Sequence, residues 1–314
     1  MSGPNLFGND LFGNPLHGQA SGVLFERFMV PPFSVLDAKQ GYWQERKSAW
    51  IAMGLKSEEG RTAKVYNLGL DANKENGWAI EDTKGSGTSV FDPLLCELVY
   101  RWFCPEGGQI VDPFAGGSVR GLVASMLGRD YWGSDLSGVQ LEANRGQAEE
   151  VLYDGCPTPV WVHGDSEEAV KHSPQADLIF SCPPYGDLEV YSDDKADLSN
   201  MRWSDFLLKY ATIINNSVSR LKDDGFACFV VGDFRDSKTG MYRNFVSETI
   251  AAFHDAGAYL YNEAILLTSI GTAMMRAGKQ FSASRKFVKV HQNVLVFCKG
   301  SPKGACASLG DVDV

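Results

Sequence analysis

The chain has no apolar run approaching about twenty residues, so no membrane-spanning helix of ordinary length is expected, although 44% of its 314 residues are hydrophobic. Its seven cysteines are odd in number and form no Cys-x-x-Cys pair, which argues against a disulfide framework and against a zinc site. Five scattered histidines add no metal-ligand spacing. Residues 115–120 lack the Gly-x-Gly-x-x-Gly fingerprint, which counts against a nicotinamide cofactor. The first residues lack a basic-then-apolar signal pattern, so a reducing cytoplasm is the expected location. An excess of cations is also missing. The net charge of −10 is awkward for a nucleic-acid partner, because phosphate neutralisation normally supplies much of the affinity.

What is there reads as a single α/β chain. Residues 1–22 are rich in Gly and Asn and repeat Leu-Phe-Gly-Asn at 6–9 and 11–14; a flexible tail is expected. Residues 23–87 are uneven, with a helix near Trp43 to Met53, and are expected to form a small extension on the main domain. From Phe91 onward the alternation becomes regular. Pro93 to Phe103 has helical periodicity with Pro at its first position. Strands are expected at the run ending in Asp112 and at 131–135, 159–164, 176–181, 226–233, 259–268 and 292–298. Helices are expected at 117–128, 138–152, 201–221 and 241–256. Seven strands with crossover helices imply a mostly parallel, Rossmann-like sheet covered on both faces. The last two strands leave room for an antiparallel edge strand. Residues 301–314 are expected to be a tail.

Two short strings carry chemistry. Gln109-Ile-Val-Asp112 is an apolar strand that runs into Pro113-Phe114-Ala115-Gly116-Gly117-Ser118 and then an apolar helix. Gly116 and Gly117 let backbone approach a ligand, and a helix start favours an anionic group. Asp135 ends the next strand, where an acid is placed to hold a ribose diol. Downstream, Ala176 to Ser181 runs into Cys182-Pro183-Pro184-Tyr185. Two prolines end the strand and present carbonyls without neighbouring amide donors, followed by an aromatic face. Such a turn suits a flat group bearing N–H donors. A strand merely terminated by proline is the plainer reading of the second string alone.

Asp112-Pro-Phe-Ala-Gly-Gly-Ser118 resembles the S-adenosylmethionine loop of the DNA amino-methyltransferases, and Cys182-Pro-Pro-Tyr185 resembles their catalytic motif. Residues 88–300 match that superfamily in motif order. The strings Pro31-Pro-Phe-Ser-Val35, Gly41-Tyr-Trp-Gln44 and Leu188-Glu-Val-Tyr-Ser-Asp-Asp194 resemble its phage and prophage members, which implies a bacterial or phage-infected cell. The resemblance implies a cofactor site of Phe91, Asp92, residues 112–118, Asp135, Asp165 and Ser181. It also implies that residues 182–185 act on an exocyclic amine, adenine N6 or cytosine N4, of a base flipped out of duplex DNA. The first and fourth strands would lie side by side. No metal is required, and a homodimer is left open.

The chain departs from the family at Cys182, where Asp, Asn or Ser is usual, and a thiol accepts hydrogen bonds weakly. Ser181 points to the opposite face of a strand and cannot simply replace it. Cys is nearest to Ser in size, which leans toward cytosine. Asp187 or Glu189 is an alternative acceptor. Two further readings stay open: a methyltransferase fold that binds nucleic acid without transfer, and a methyltransferase for RNA or a small molecule. Asp92 ahead of Pro93 is equally an ordinary helix cap. Arg276, Lys279, Arg285, Lys286 and Lys289, with Phe281 and Phe287 interleaved and no acid among them, form a candidate surface for a nucleic-acid backbone; a solvated loop is the alternative. Gln44, Arg46 and Lys47 could meet phosphate, but an exposed helix face is the plainer expectation.

Overall fold

The computed structural model describes residues 27–56, 91–186, 197–268 and 273–310. The repeat within 1–22, Asp187, Glu189 and the string 188–194 lie outside the described residues. Among the described residues eight strands form one sheet: β1 (Val35–Asp37), β2 (Gln109–Asp112), β3 (Asp130–Asp135), β4 (Val160–His163), β5 (Ala176–Ser181), β6 (Leu221–Val231), β7 (Ala258–Leu267) and β8 (His291–Lys299). Their spatial order is β1-β7-β8-β6-β5-β2-β3-β4. All neighbouring pairs are parallel except the two that involve β8.

The helices are α1 (Gly41–Ala52), α2 (Pro93–Phe103), α3 (Val119–Met126), α4 (Gly138–Val151), α5 (Ser166–Ala169), α6 (Trp203–Arg220), α7 (Phe245–Asp255), α8 (Ala273–Ser284) and α9 (Pro302–Leu309). The strand period of two sorts the core. Ile110, Leu178, Phe180, Cys228 and Val230 face Leu94, Leu98, Leu122 and the tryptophans Trp43 and Trp50. Val111, Ile179, Phe229 and Val231 face Phe206, Tyr210 and Ile213 of α6 and Phe245 and Phe253 of α7. Alternating burial of this kind requires helices on both faces of the sheet.

The α/β, mostly parallel architecture is the one expected, with three differences. The sheet has eight strands, because β1 pairs with β7 through Val35↔Ile265 to Asp37↔Leu267. A three-residue strand leaves no alternation to read. The antiparallel strand, β8, is inside the sheet, between β6 and β7; sequence order alone does not reveal that insertion. Residues 273–284 and 302–309 are helical where a connection and a tail were expected. Ser301 caps α9, accepting from the Gly304 amide, and Ala305 is buried.

Helix α1 is joined to α2 by an ion pair inside the core. Arg46 donates twice to Glu97, at 3.0 and 2.6 Å, and Trp50 Nε1 donates to the same carboxylate at 2.6 Å. Arg46 is 4% exposed, so it is closed off from any phosphate. Lys47 pairs with Asp92 at 3.1 Å, and Gln44 donates to the Ala38 carbonyl.

Candidate active site

From β2 the chain moves outward to β3 and β4, then returns to place β5 on the other side of β2. The order reverses between β2 and β5, and in open α/β sheets the crevice beyond such a reversal is where ligands sit. Both strings lie at this point. Residues 113–118 leave the carboxyl end of β2, and residues 182–185 leave the carboxyl end of β5. Ile110↔Leu178 and Val111↔Ile179 set the register between them.

A buried polar knot shapes the first loop. Asp112 is fully buried and accepts from Arg120 Nε at 2.6 Å, Tyr131 Oη at 2.8 Å, the Phe114 amide at 3.0 Å and the Ser181 hydroxyl at 2.5 Å. Burial works to lower the Arg120 pKa, but Asp112 beside it carries the net shift upward, so the guanidinium stays charged. Its other nitrogen donates to the Phe114 and Ala115 carbonyls. The guanidinium also stands 4.7 Å from the centre of the Phe91 ring, within cation–π range. Asp112 and Ser181 therefore stand beneath the loop and fix it to β5. The Ser181 hydroxyl is taken by Asp112, which leaves Cys182 as the first side chain of the turn.

Gly116 supplies the bend. Its φ of +50° lies in the left-handed region, which side chains other than Gly rarely adopt. Its amide donates to Asp135 Oδ2 at 2.9 Å, and its carbonyl accepts from Asn144 at 2.8 Å. Asp135 Oδ1 accepts from the Ser137 amide at 2.8 Å. Burial pushes the Asp135 carboxyl up from its ordinary value, opposed by those two amides. Ser118 does not cap α3; its hydroxyl donates to Gln147 at 2.8 Å. The helix begins at Val119, later than the periodicity suggested. Pro113 is held by Ser166, whose hydroxyl donates to its carbonyl at 2.5 Å.

Two other sequence candidates have partners of the protein's own. Asp92 caps α2 through the Leu94 amide at 3.0 Å, and its second oxygen accepts from Trp43 and Lys47, each at 3.1 Å. The capping reading describes its contacts. Asp165 caps α5 through the Glu167 amide at 3.0 Å and pairs with Lys209.

On the second turn, Cys182 is half-buried against the core. Tyr185 is set edge-on to Phe234 and Phe245, with ring centres 6.1 and 6.0 Å away. Its hydroxyl accepts from Gln292 Nε2 at 2.6 Å. Gly186 has a φ of +55°, so Gly186→Ala should cost about 1–2 kcal/mol. Urea unfolding checks it, and an unchanged midpoint would show that the turn accepts a side chain.

The residues of the basic segment differ in their surroundings. Arg276 and Lys279 are on α8, and Arg285 follows it with a φ of +54°. Lys286 covers Gly240, where an added Cβ would come within 2.6 Å of its ammonium. Lys289 instead reaches the second turn: a Cβ on Gly232 would stand 3.7 Å from Tyr185 Oη and 3.8 Å from Lys289 Nζ. Burial lowers the Lys289 pKa, with Asp233 acting the other way.

Sequence reasoning missed Arg120, Tyr131, Asn144, Gln147 and Gln292. A lone arginine inside the apolar run Val119 to Leu127 was a usable signal for Arg120, since such a charge needs a partner when buried. Gln292, 107 positions from Tyr185, left none.

Among the described residues no helix is long and apolar enough to cross a membrane, and no His, Cys, Asp and Glu cluster is arranged for a metal. No protein-family model matches the chain, and no curated protein sequence matches it. Solved structures similar to it include TrmN from Thermus thermophilus, at 17% identity and TM-score 0.44, covering 66% of this chain and 48% of that one. The chain thus spans about half the length of TrmN. A second is precorrin-6y C5,15-methyltransferase from Geobacter metallireducens, at 12% identity and TM-score 0.44, covering 70% and 93%. A third is magnesium protoporphyrin IX methyltransferase from Synechocystis with bound SAM, at 12% identity and TM-score 0.42, covering 69% and 87%.

Proposed function

We propose that this chain is an S-adenosylmethionine-dependent methyltransferase acting on the exocyclic amine of a base flipped out of DNA, cytosine N4 or adenine N6. The observation that carries the reading is the pairing of the two loops at one reversal of strand order, joined by the 2.5 Å Ser181–Asp112 hydrogen bond. Two loops so tied hold donor and acceptor at fixed separation, and an in-line transfer needs alignment above all.

The residues present suit the cofactor. The bend at Gly116 lies just beyond the carboxyl end of β2, and the half-buried Asp135 carboxylate beside it is an acceptor for a ribose diol. When bound, the cofactor supplies an electrophilic methyl group on a sulfonium. Residues 113–118 would line its amino-acid portion and Asp135 would hold the ribose. Asp112, Arg120 and Ser181 act as positioning residues from beneath. The Pro183 carbonyl would accept one amine hydrogen, and Tyr185 would stack on the ring. Residue 182 would accept a hydrogen bond from the second amine hydrogen; its sulfur is a weak acceptor, which predicts slow transfer.

The test is incubation with methyl-labelled cofactor and unmethylated DNA, followed by nucleoside analysis. Label in N4-methylcytosine or N6-methyladenine supports the proposal, and label in RNA or a small molecule replaces the substrate. Cofactor binding without transfer to any acceptor would favour the second reading, a binding protein on a methyltransferase fold, which the Cys182 substitution motivates.

A pH dependence follows from Asp135. Its raised pKa means that the ionised form needed by a diol is lost at a higher pH than for an ordinary aspartate. Affinity for the demethylated cofactor should therefore fall on acidification from pH 7, and Asp135→Asn should flatten the profile, as calorimetric titration would read. The apo protein has the opposite sign. Folding favours the protonated carboxyl, so this group's contribution to stability is lost as pH rises through its folded value. Equal acid sensitivity in wild type and Asp135→Asn would remove Asp135 from the site.

A further inference from the structure

Helix α8 projects from the sheet on the connection between β7 and β8, and residues 274–285 are all exposed. It carries apolar side chains that nothing covers among the described residues. Met274 and Met275 are 73% and 74% exposed, and Phe281 and Phe287 are 41% and 78% exposed. The two phenylalanines stack on each other, with centres 5.7 Å apart and planes 24° from parallel. Arg285 lies 5.3 Å from the centre of the Phe281 ring. In a chain of net charge −10, residues 273–290 hold five cations and no acid.

An exposed aromatic pair inside a purely cationic segment is matched by an aromatic polyanion. Position narrows the partner further. Phe287 is two residues from Lys289, a reach of at most about 7 Å along the backbone. The Lys289 ammonium and the Tyr185 hydroxyl both stand against Gly232. The segment carrying Phe287 therefore leads, through Lys289, to the turn proposed to receive an extruded base.

Resting on that reading of the turn, we infer that Phe281 and Phe287 form a wedge that enters the base stack beside the extruded nucleotide, while Arg276, Lys279, Arg285 and Lys286 hold the flanking phosphates. Extruding a base leaves a gap in the stack, and apolar side chains inserted between base steps stabilise such distorted duplexes. The plane of a phenyl ring suits the gap, and sequence does not matter to it, because every base has a π-face.

The experiment compares binding of the full chain, by fluorescence anisotropy, to an intact duplex and to the same duplex with one abasic site. An abasic site provides the gap in advance, so wild type should bind it about tenfold more tightly. Phe281→Ala/Phe287→Ala should bring that preference close to one while leaving the salt slope unchanged, since the cations remain. Both side chains are exposed, so thermal unfolding should match wild type and confirm the fold. A preference that survives the double substitution overturns the wedge, as does wild type binding both duplexes equally. If wild type binds neither duplex, the DNA reading itself fails. A retained abasic preference with an altered salt slope in the double variant would assign the segment to phosphate contact alone and also overturn the wedge.

Discussion

Tyr185→Ala is expected to lower methyl transfer by about 100-fold or more while leaving cofactor affinity within about twofold. The ring packs edge-on against Phe234 and Phe245, and its hydroxyl is held by Gln292 at 2.6 Å. It is therefore a positioned face, and none of its described contacts is with residues 113–118. Truncation removes the surface on which the base would stack without touching the Asp112 knot. Tyr185→Phe separates stacking from orientation, because it keeps the ring and deletes the Gln292 hydrogen bond, worth about 0.5–1.5 kcal/mol. A rate loss of roughly tenfold or less is expected there. Single-turnover measurement with labelled cofactor reads both variants. Full activity in Tyr185→Ala would detach the second turn from catalysis, whatever the first one binds.

The legible part of this molecule was the part written in short-range pattern. Pro93 at a helix start, the glycine turn after Asp112 and the proline stop after Ser181 each act within a few residues, and each stands in the structure where the string placed it. The neighbouring of β2 and β5 was implied by resemblance and not by spacing. The candidate carboxylates were located less well in kind than in place. Asp92 could be read as a cap or as a ligand contact, since both need the same residue at the same position. Only the Trp43 and Lys47 donors, 49 and 45 positions away, distinguish them. Arg46 illustrates the same limit. On a helix whose apolar positions are aromatic it reads as exposed, yet Glu97, 51 residues on, takes it into the core. Helix α8 went unread for a different reason: Met274, Met275, Lys279 and Gln280 are good helix formers, but Gly278 interrupts them and no apolar stripe faces the core.

Arg120→Met should cost about 3–5 kcal/mol of stability, because it leaves Asp112 as a fully buried carboxylate without its cation. The three remaining donors, from Tyr131, Phe114 and Ser181, are neutral. The substitution also releases the Phe114 and Ala115 carbonyls, so residues 113–118 lose their anchor and affinity for the demethylated cofactor should fall with the stability. Asp112→Asn alone leaves a buried guanidinium and should be nearly as damaging. The double variant Arg120→Met/Asp112→Asn removes both charges at once, and buried pairs replaced by neutral groups of similar volume are often close to neutral. Urea denaturation of all four proteins closes the cycle, and the double variant should lose far less stability than the two single variants added together. If the double variant regains stability but not cofactor affinity, the pair serves the loop rather than the fold. If Arg120→Met costs less than about 1 kcal/mol, Asp112 is not held as a charged group, and the link from β2 through Ser181 to the second turn loses its physical basis.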